Sequence, residues 1–105
     1  MIIQVNTDNS IEGNRELARE IETAVRNSLE RFGGQITRVE VHLSDDNSDK
    51  KSGTKDKSCL LEARLAGLQP IAVSHQAEAM EQAVDGAVDK LVRSIDATLG
   101  KLDNR

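Results

Sequence analysis

Cationic side chains recur near the C-terminus of the chain at Lys90, Arg93, Lys101 and Arg105. Gathered on one flank of a helix, such groups grip phosphate oxygens by charge and hydrogen bonding. Placed at roughly 100° per residue, the segment sorts into three strips. Met80, Val84, Ala87, Val88, Leu91, Ile95, Leu99 and Leu102 form an apolar stripe. Glu78, Glu81, Asp85, Asp89, Asp96 and Asp103 take one side of it. Lys90, Arg93, Lys101 and, where the helix reaches it, Arg105 take the other. A solvated helix whose bases complement the dipole near its C-terminus accounts for the same pattern. Earlier in the chain, Arg15, Arg19 and Arg26 share a weaker basic strip. Glu22, four residues before Arg26, is placed to pair with it, so ordinary surface ion pairing competes with a binding role.

Other chemistries find less support. His42 and His75 are the only histidines, without the HxxxH or HExxH spacing of a metal site. Cys59 alternates inward along a strand and reads as a small core hydrophobe. Glu40/Glu62 and Arg38/Arg64 fall on an exposed sheet face, where cross-strand ion pairing explains them better than acid–base catalysis. No nucleophile–base pair and no phosphate-cradling glycine loop is visible. The expectation is therefore no enzyme, no metal, no cofactor and no small-molecule substrate.

Composition narrows the classes further. At 105 residues the chain has room for one domain, expected to span 1–105. With 37% hydrophobic and 30% charged residues it falls in the globular class. A lone cysteine forms no internal disulfide. No membrane span and no signal peptide are recognised, so a cytoplasmic protein is expected. Tyr and Trp are absent and Phe32 is the single aromatic, which excludes base-stacking platforms. The net charge of −4 means that any grip on nucleic acid must come from a local concentration of bases.

The elements that hold these residues follow from periodicity. Ile2, Ile3 and Val5 predict a first strand. A helix capped by Asn14 carries Leu17, Ile21, Ala24, Val25, Leu29 and Phe32 on one stripe and stops at Gly33-Gly34. From Ile36 to Leu43 the period is two, with Val39, Val41 and Leu43 inward and Arg38, Glu40 and His42 outward. Residues 44–58 contain no hydrophobe and predict a flexible loop. Cys59, Leu61, Ala63 and Leu65 mark the next strand, and Gly67-Leu68-Gln69 a tight turn. Ile71 and Val73 mark a short last strand, which Pro70 places at a sheet edge. A long helix over about 76–102 closes the chain. The order β-α-β-β-β-α predicts an α+β fold in two layers: a four-stranded mixed sheet with both helices on one face. The first crossover makes strands one and two parallel, with right-handed connection.

On these residues the chain resembles the ribosome hibernation promoting factors and ribosome-associated translation inhibitors of bacteria, also called ribosomal subunit interface proteins. The segment MEQAVDGAVDKLVRSI resembles the family's M-Y-A-A-I-D-x-x-I-D-K-L-x-R-Q-L, with Met80, Ala83, Val84, Asp85, Asp89, Lys90, Leu91 and Arg93 at matching positions. Residues 36–43 resemble its second strand, and Ile11-Glu12 followed by Leu17 its entry to helix one. The resemblance implies a short-form translation inhibitor of stressed, stationary-phase cells. It would bind the ribosomal RNA of the small ribosomal subunit at the decoding region and block messenger and transfer RNA, with no membrane involved. It carries over Lys90 and Arg93 directly and Lys101 less closely. Arg15, Arg19 and Arg26 are candidates from the charge strip alone.

The chain also departs from that pattern. Asp96, Ala97, Thr98, Leu99 and Gly100 interrupt the family's dense basic tail. Ala79 and Glu81 stand for its Asp and Tyr, and Ala18 for a common Arg. Each lost phosphate contact lowers affinity and flattens its salt dependence. These departures motivate an alternative: an acidic protein-interaction or regulatory module that kept the fold and lost ribosomal RNA binding.

Overall fold

Alternation of apolar and polar residues in the middle of the chain builds the two central strands, and everything else packs on the apolar side they create. The computed structural model describes residues 1–7, 15–45 and 57–103. The elements are β1 (Ile2–Thr7), α1 (Arg15–Leu29), a 3-10 turn (Glu30–Gln35), β2 (Ile36–Asp45), β3 (Lys57–Leu65), β4 (Ile71–Ala77) and α2 (Met80–Asp103). The sheet order is β1-β2-β3-β4, with β1 parallel to β2 and the other pairs antiparallel. This is the α+β, four-stranded mixed sheet expected, and β4 lies at an edge as Pro70 implied.

One core fills the space between sheet and helices. Val39, Val41 and Leu43 of β2 and Cys59, Leu61, Ala63 and Leu65 of β3 meet Ile21, Val25 and Leu29 of α1 and Ala83, Val84, Ala87, Leu91 and Ile95 of α2. No polar side chain is buried among the described residues. Ile36 and Val39 are both buried although two residues, Thr37 and Arg38, lie between them, a spacing that strict alternation would send to opposite faces. The register explains it: Ile36 faces Leu65 and Arg38 faces Arg64, so the strand bulges between them and turns Ile36 back to the core.

Several boundaries differ from expectation. α1 ends at Leu29 and tightens into the 3-10 turn, which buries Phe32. Gly33 turns the chain at φ 2° and ψ −86°, outside helical values and outside the left-handed region expected of a helix stop. Asn14, the expected cap, lies outside the described residues. Ala24 is exposed in place of joining the core. The ladder also continues past Leu43, pairing Ser44 with Ser58 and Asp45 with Lys57, so 44–58 is strand at both ends. Backbone pairing needs no apolar side chain, and Lys57 Nζ lies 3.2 Å from Asp45 Oδ2 across the two strands. Residues 46–56 lie outside the described residues.

β4 is longer than Ile71 and Val73 suggest, because His75 and Ala77 continue its inward alternation opposite Cys59 and Lys57. α2 consequently begins at Met80, and Glu78 precedes it. The side chains of Leu102 and Asp103, and all of Arg105, lie outside the described residues. The β3–β4 turn rests on Gly67 at φ 75°, a left-handed conformation that glycine adopts without steric cost. The Leu68 amide donates to the Leu65 carbonyl at 3.2 Å to close it.

Candidate nucleic-acid interface

The two flanks of α2 look in opposite directions because the helix lies across β3 and β4 with α1 on its other side. Lys90 Nζ donates to the Ser74 carbonyl of β4 at 2.8 Å, so the basic flank overhangs the β4 edge. Around the axis Lys101 falls about 20° from Lys90, and Arg93 about 60° away toward the crest. All three are exposed. Arg93 Nη2 lies 3.0 Å from Asp89 Oδ2, one turn earlier, with the two side chains 78% and 60% exposed. Such an exposed pair is worth about 0.3–0.5 kcal/mol, so a competing phosphate displaces the carboxylate at small cost.

The acidic flank turns inward, toward α1. Glu81 and Asp85 line a cleft with Leu17, Glu20, Ile21, Ala24 and Val84. Further along, Asp85 and Asp89 border it with Ala24, Ser28, Val88 and Val92. The exposure of Ala24 follows, since it floors this open cleft. Toward the C-terminal end of α2, Asp96 Oδ2 takes a 2.7 Å bond from Arg31 Nη2 of the 3-10 turn. The Arg31 guanidinium also stacks over the Phe32 ring, 4.3 Å from its centroid. Sequence reasoning passed over Arg31, because its partner lies on the other helix.

The basic strip of α1 sits on the far side of the molecule. Arg26 Nη1 donates to the Met1 carbonyl at 3.3 Å, at the start of the opposite edge strand, and Nη2 pairs with Glu22 at 3.3 Å as the spacing predicted. Arg15 and Arg19 share that exposed side. The six candidate cations therefore form two strips on opposite edges: Lys90, Arg93 and Lys101 over β4, and Arg15, Arg19 and Arg26 over β1. Glu20, Glu81, Asp85 and Asp89 separate them.

The outer sheet face carries the remaining polar candidates. Glu40 faces Glu62 across β2 and β3, and Arg38 faces Arg64, so like charges meet like. The expected cross-strand ion pairs do not form; Arg38 Nε bonds Glu40 Oε2 of its own strand at 2.9 Å and Nη2 bonds Gln4 Oε1 of β1. The hydrogen bond from Arg38 holds the Glu40 carboxyl below its ordinary value; desolvation acts the other way, and the charges of Arg38 and then His42 add to the lowering. Cys59 is fully buried and burial pushes its thiol up to about 12, so it offers no nucleophile. Among the described residues no helix is long and apolar enough to cross a membrane.

The model of the family described as Sigma 54 modulation protein / S30EA ribosomal protein matches residues 3–103. The fold is similar to that of the Thermus thermophilus Protein Y N-terminal domain, with a TM-score of 0.72 and 19% identity over 93% of this chain and 99% of that one. It is also similar to a ribosomal subunit interface protein from Coxiella burnetii, with a TM-score of 0.66 and 18% identity over the whole of both chains. A search of curated proteins finds no match.

Proposed function

The chain belongs to the Sigma 54 modulation protein / S30EA ribosomal protein family, and from that membership we propose that it inhibits translation by docking on the small ribosomal subunit near the decoding region. There a rigid two-layer domain excludes messenger and transfer RNA by occupying their path. Occlusion needs no covalent chemistry, and its setting is the cytoplasm of resting cells. The match over residues 3–103 carries the proposal. Lys90, Arg93 and Lys101 are the groups that meet phosphate: Lys90 overhangs the β4 edge, Lys101 falls on the same flank of α2, and Arg93 stands exposed between that flank and the acidic cleft, where it bonds Asp89. Contacts go to RNA backbone and shape, since no stacking aromatic is present. Arg15, Arg19 and Arg26 lie on the opposite edge and engage only where RNA reaches both sides of the domain.

Co-sedimentation with purified small subunits on a sucrose gradient tests this. The wild-type chain is expected to travel with the subunit at low salt and be released as salt rises. Three phosphate contacts give a slope of log affinity on log salt of about −2 to −3. Lys90→Glu with Arg93→Glu is expected to leave the protein at the top of the gradient with its circular dichroism unchanged. Wild-type protein that stays at the top at low salt defeats the proposal.

The acidic cleft favours a second reading, a module that captures a basic protein segment and has given up RNA. Asp85→Lys with Asp89→Lys separates the two. On the first reading this change strengthens binding to the subunit; on the second it abolishes capture of the protein partner.

A further inference from the structure

Local spacing showed no metal site, because the third ligand comes from a neighbouring strand. Glu40 and His42 stand two apart on β2 and point to the same outer face. Glu62 of β3 lies directly opposite Glu40. One ligand atom from each of these residues lies within 4.8 Å of the others. His42 Nε2 and Glu40 Oε1 are 3.4 Å apart. Two ligands of a tetrahedral zinc ion, each bound at about 2.0–2.1 Å, stand about 3.3 Å apart. The first two ligands thus already have the required spacing, and Glu62 completes the set by a small side-chain movement on a rigid ladder.

The rest of the face fits a cation. Glu40 and Glu62 oppose each other with like charge, an unfavourable cross-strand pair that a bound ion converts into shared coordination. Among the described residues Glu62 makes no ion pair, so its carboxylate is available. Arg38 bonds Glu40 through Oε2 and leaves Oε1 toward His42. That bond orients the ligand from outside the coordination sphere, as second-shell partners commonly do. The guanidinium offsets one of the two negative charges, which restrains affinity. One imidazole with two carboxylates suits zinc or a similar borderline divalent metal, whereas magnesium and calcium prefer all-oxygen shells.

We propose that Glu40, His42 and Glu62 form a three-ligand surface site for a divalent transition metal such as Zn²⁺, leaving a fourth position to water. The proposal is independent of the ribosomal reading. The test is a titration of the whole protein with zinc chloride, followed by proton NMR of the two histidine imidazoles. His42 resonances are expected to move, saturate at one equivalent and return on adding EDTA. Those of His75, on the inner face, stay unchanged. Glu40→Gln and Glu62→Gln, read from the same His42 resonances, are each expected to weaken binding by at least about tenfold, since even second-shell changes cost that much. Magnesium chloride at the same concentration is expected to leave His42 unmoved. The proposal is overturned if zinc leaves His42 unmoved, or if either variant binds zinc as tightly as wild type while circular dichroism shows an intact fold.

Discussion

Leu60 and Leu61 are neighbours on β3 with opposite fates. Leu61 is fully buried in the core, while Leu60 is 40% exposed on the outer face. The inner face is apolar from Val39 to Leu43 on β2 and from Cys59 to Leu65 on β3, whereas the outer face mixes Arg38, Glu40, His42, Glu62 and Arg64 in a register that sets Arg38 against Arg64 and Glu40 against Glu62. The inner face carries the stability, through burial that depends on area and little on exact partners. The outer face holds the chemistry, which depends entirely on which residue stands beside which.

Adjacent truncations break or sharpen that contrast most directly. Leu61→Ala is expected to cost about 2–5 kcal/mol in urea unfolding, since it removes contacts and leaves a cavity. Leu60→Ala is expected to stay within about 0.5 kcal/mol, as surface changes do. Equal costs would mean that the outer face is covered in solution.

The next effect lies at the β4 side of the core. An alanine Cβ at Gly86 would run into the imidazole of His75, whose ring lies against the α2 backbone there. Gly86→Ala is expected to destabilise by about 1–3 kcal/mol, the usual cost of overpacking. Combining it with His75→Ala is expected to recover most of that loss, so a double-mutant cycle should show strong coupling. Additive losses would mean that His75 does not fill this space.

The smallest effect is electrostatic and belongs to the outer face. The hydrogen bond from Arg38 lowers the Glu40 pKa from its ordinary 4.5. A lowered carboxylate contributes stability above its unfolded value and loses it as pH falls through its folded value. The difference in urea midpoint between wild type and Glu40→Gln is therefore expected to be full at neutral pH and to shrink below about pH 4.5. A gap that persists in acid would assign the effect to shape and not to charge.

Much of the architecture was legible in residue order. The element sequence, the inward sides of β2 and β3, the edge position of β4 and the Glu22–Arg26 pair all follow from periodicity and short spacing. Boundaries were less visible. Ser44, Asp45, Lys57 and Ser58 read as loop because pairing of their backbones leaves no hydrophobic trace. Gln76 and Ala77 read as the start of the helix, and His75 as part of neither element, because a half-buried imidazole breaks the apolar alternation that marks a strand. The candidate interface was legible only as two helical strips. Periodicity placed each base around its own axis and said nothing about the direction in which the neighbouring helix lies.

The chain's order of hydrophobic and polar residues determined which faces become dry, because burial rewards apolar area wherever it occurs. Only the tertiary structure decided that the acidic flank of α2 turns toward α1 while Lys90 reaches out over β4, and that Glu62 comes to stand against Glu40 and near His42. Charge and coordination fall off over a few ångströms, so they depend on distances between residues far apart in sequence, which the packing of helices and the register of strands alone set.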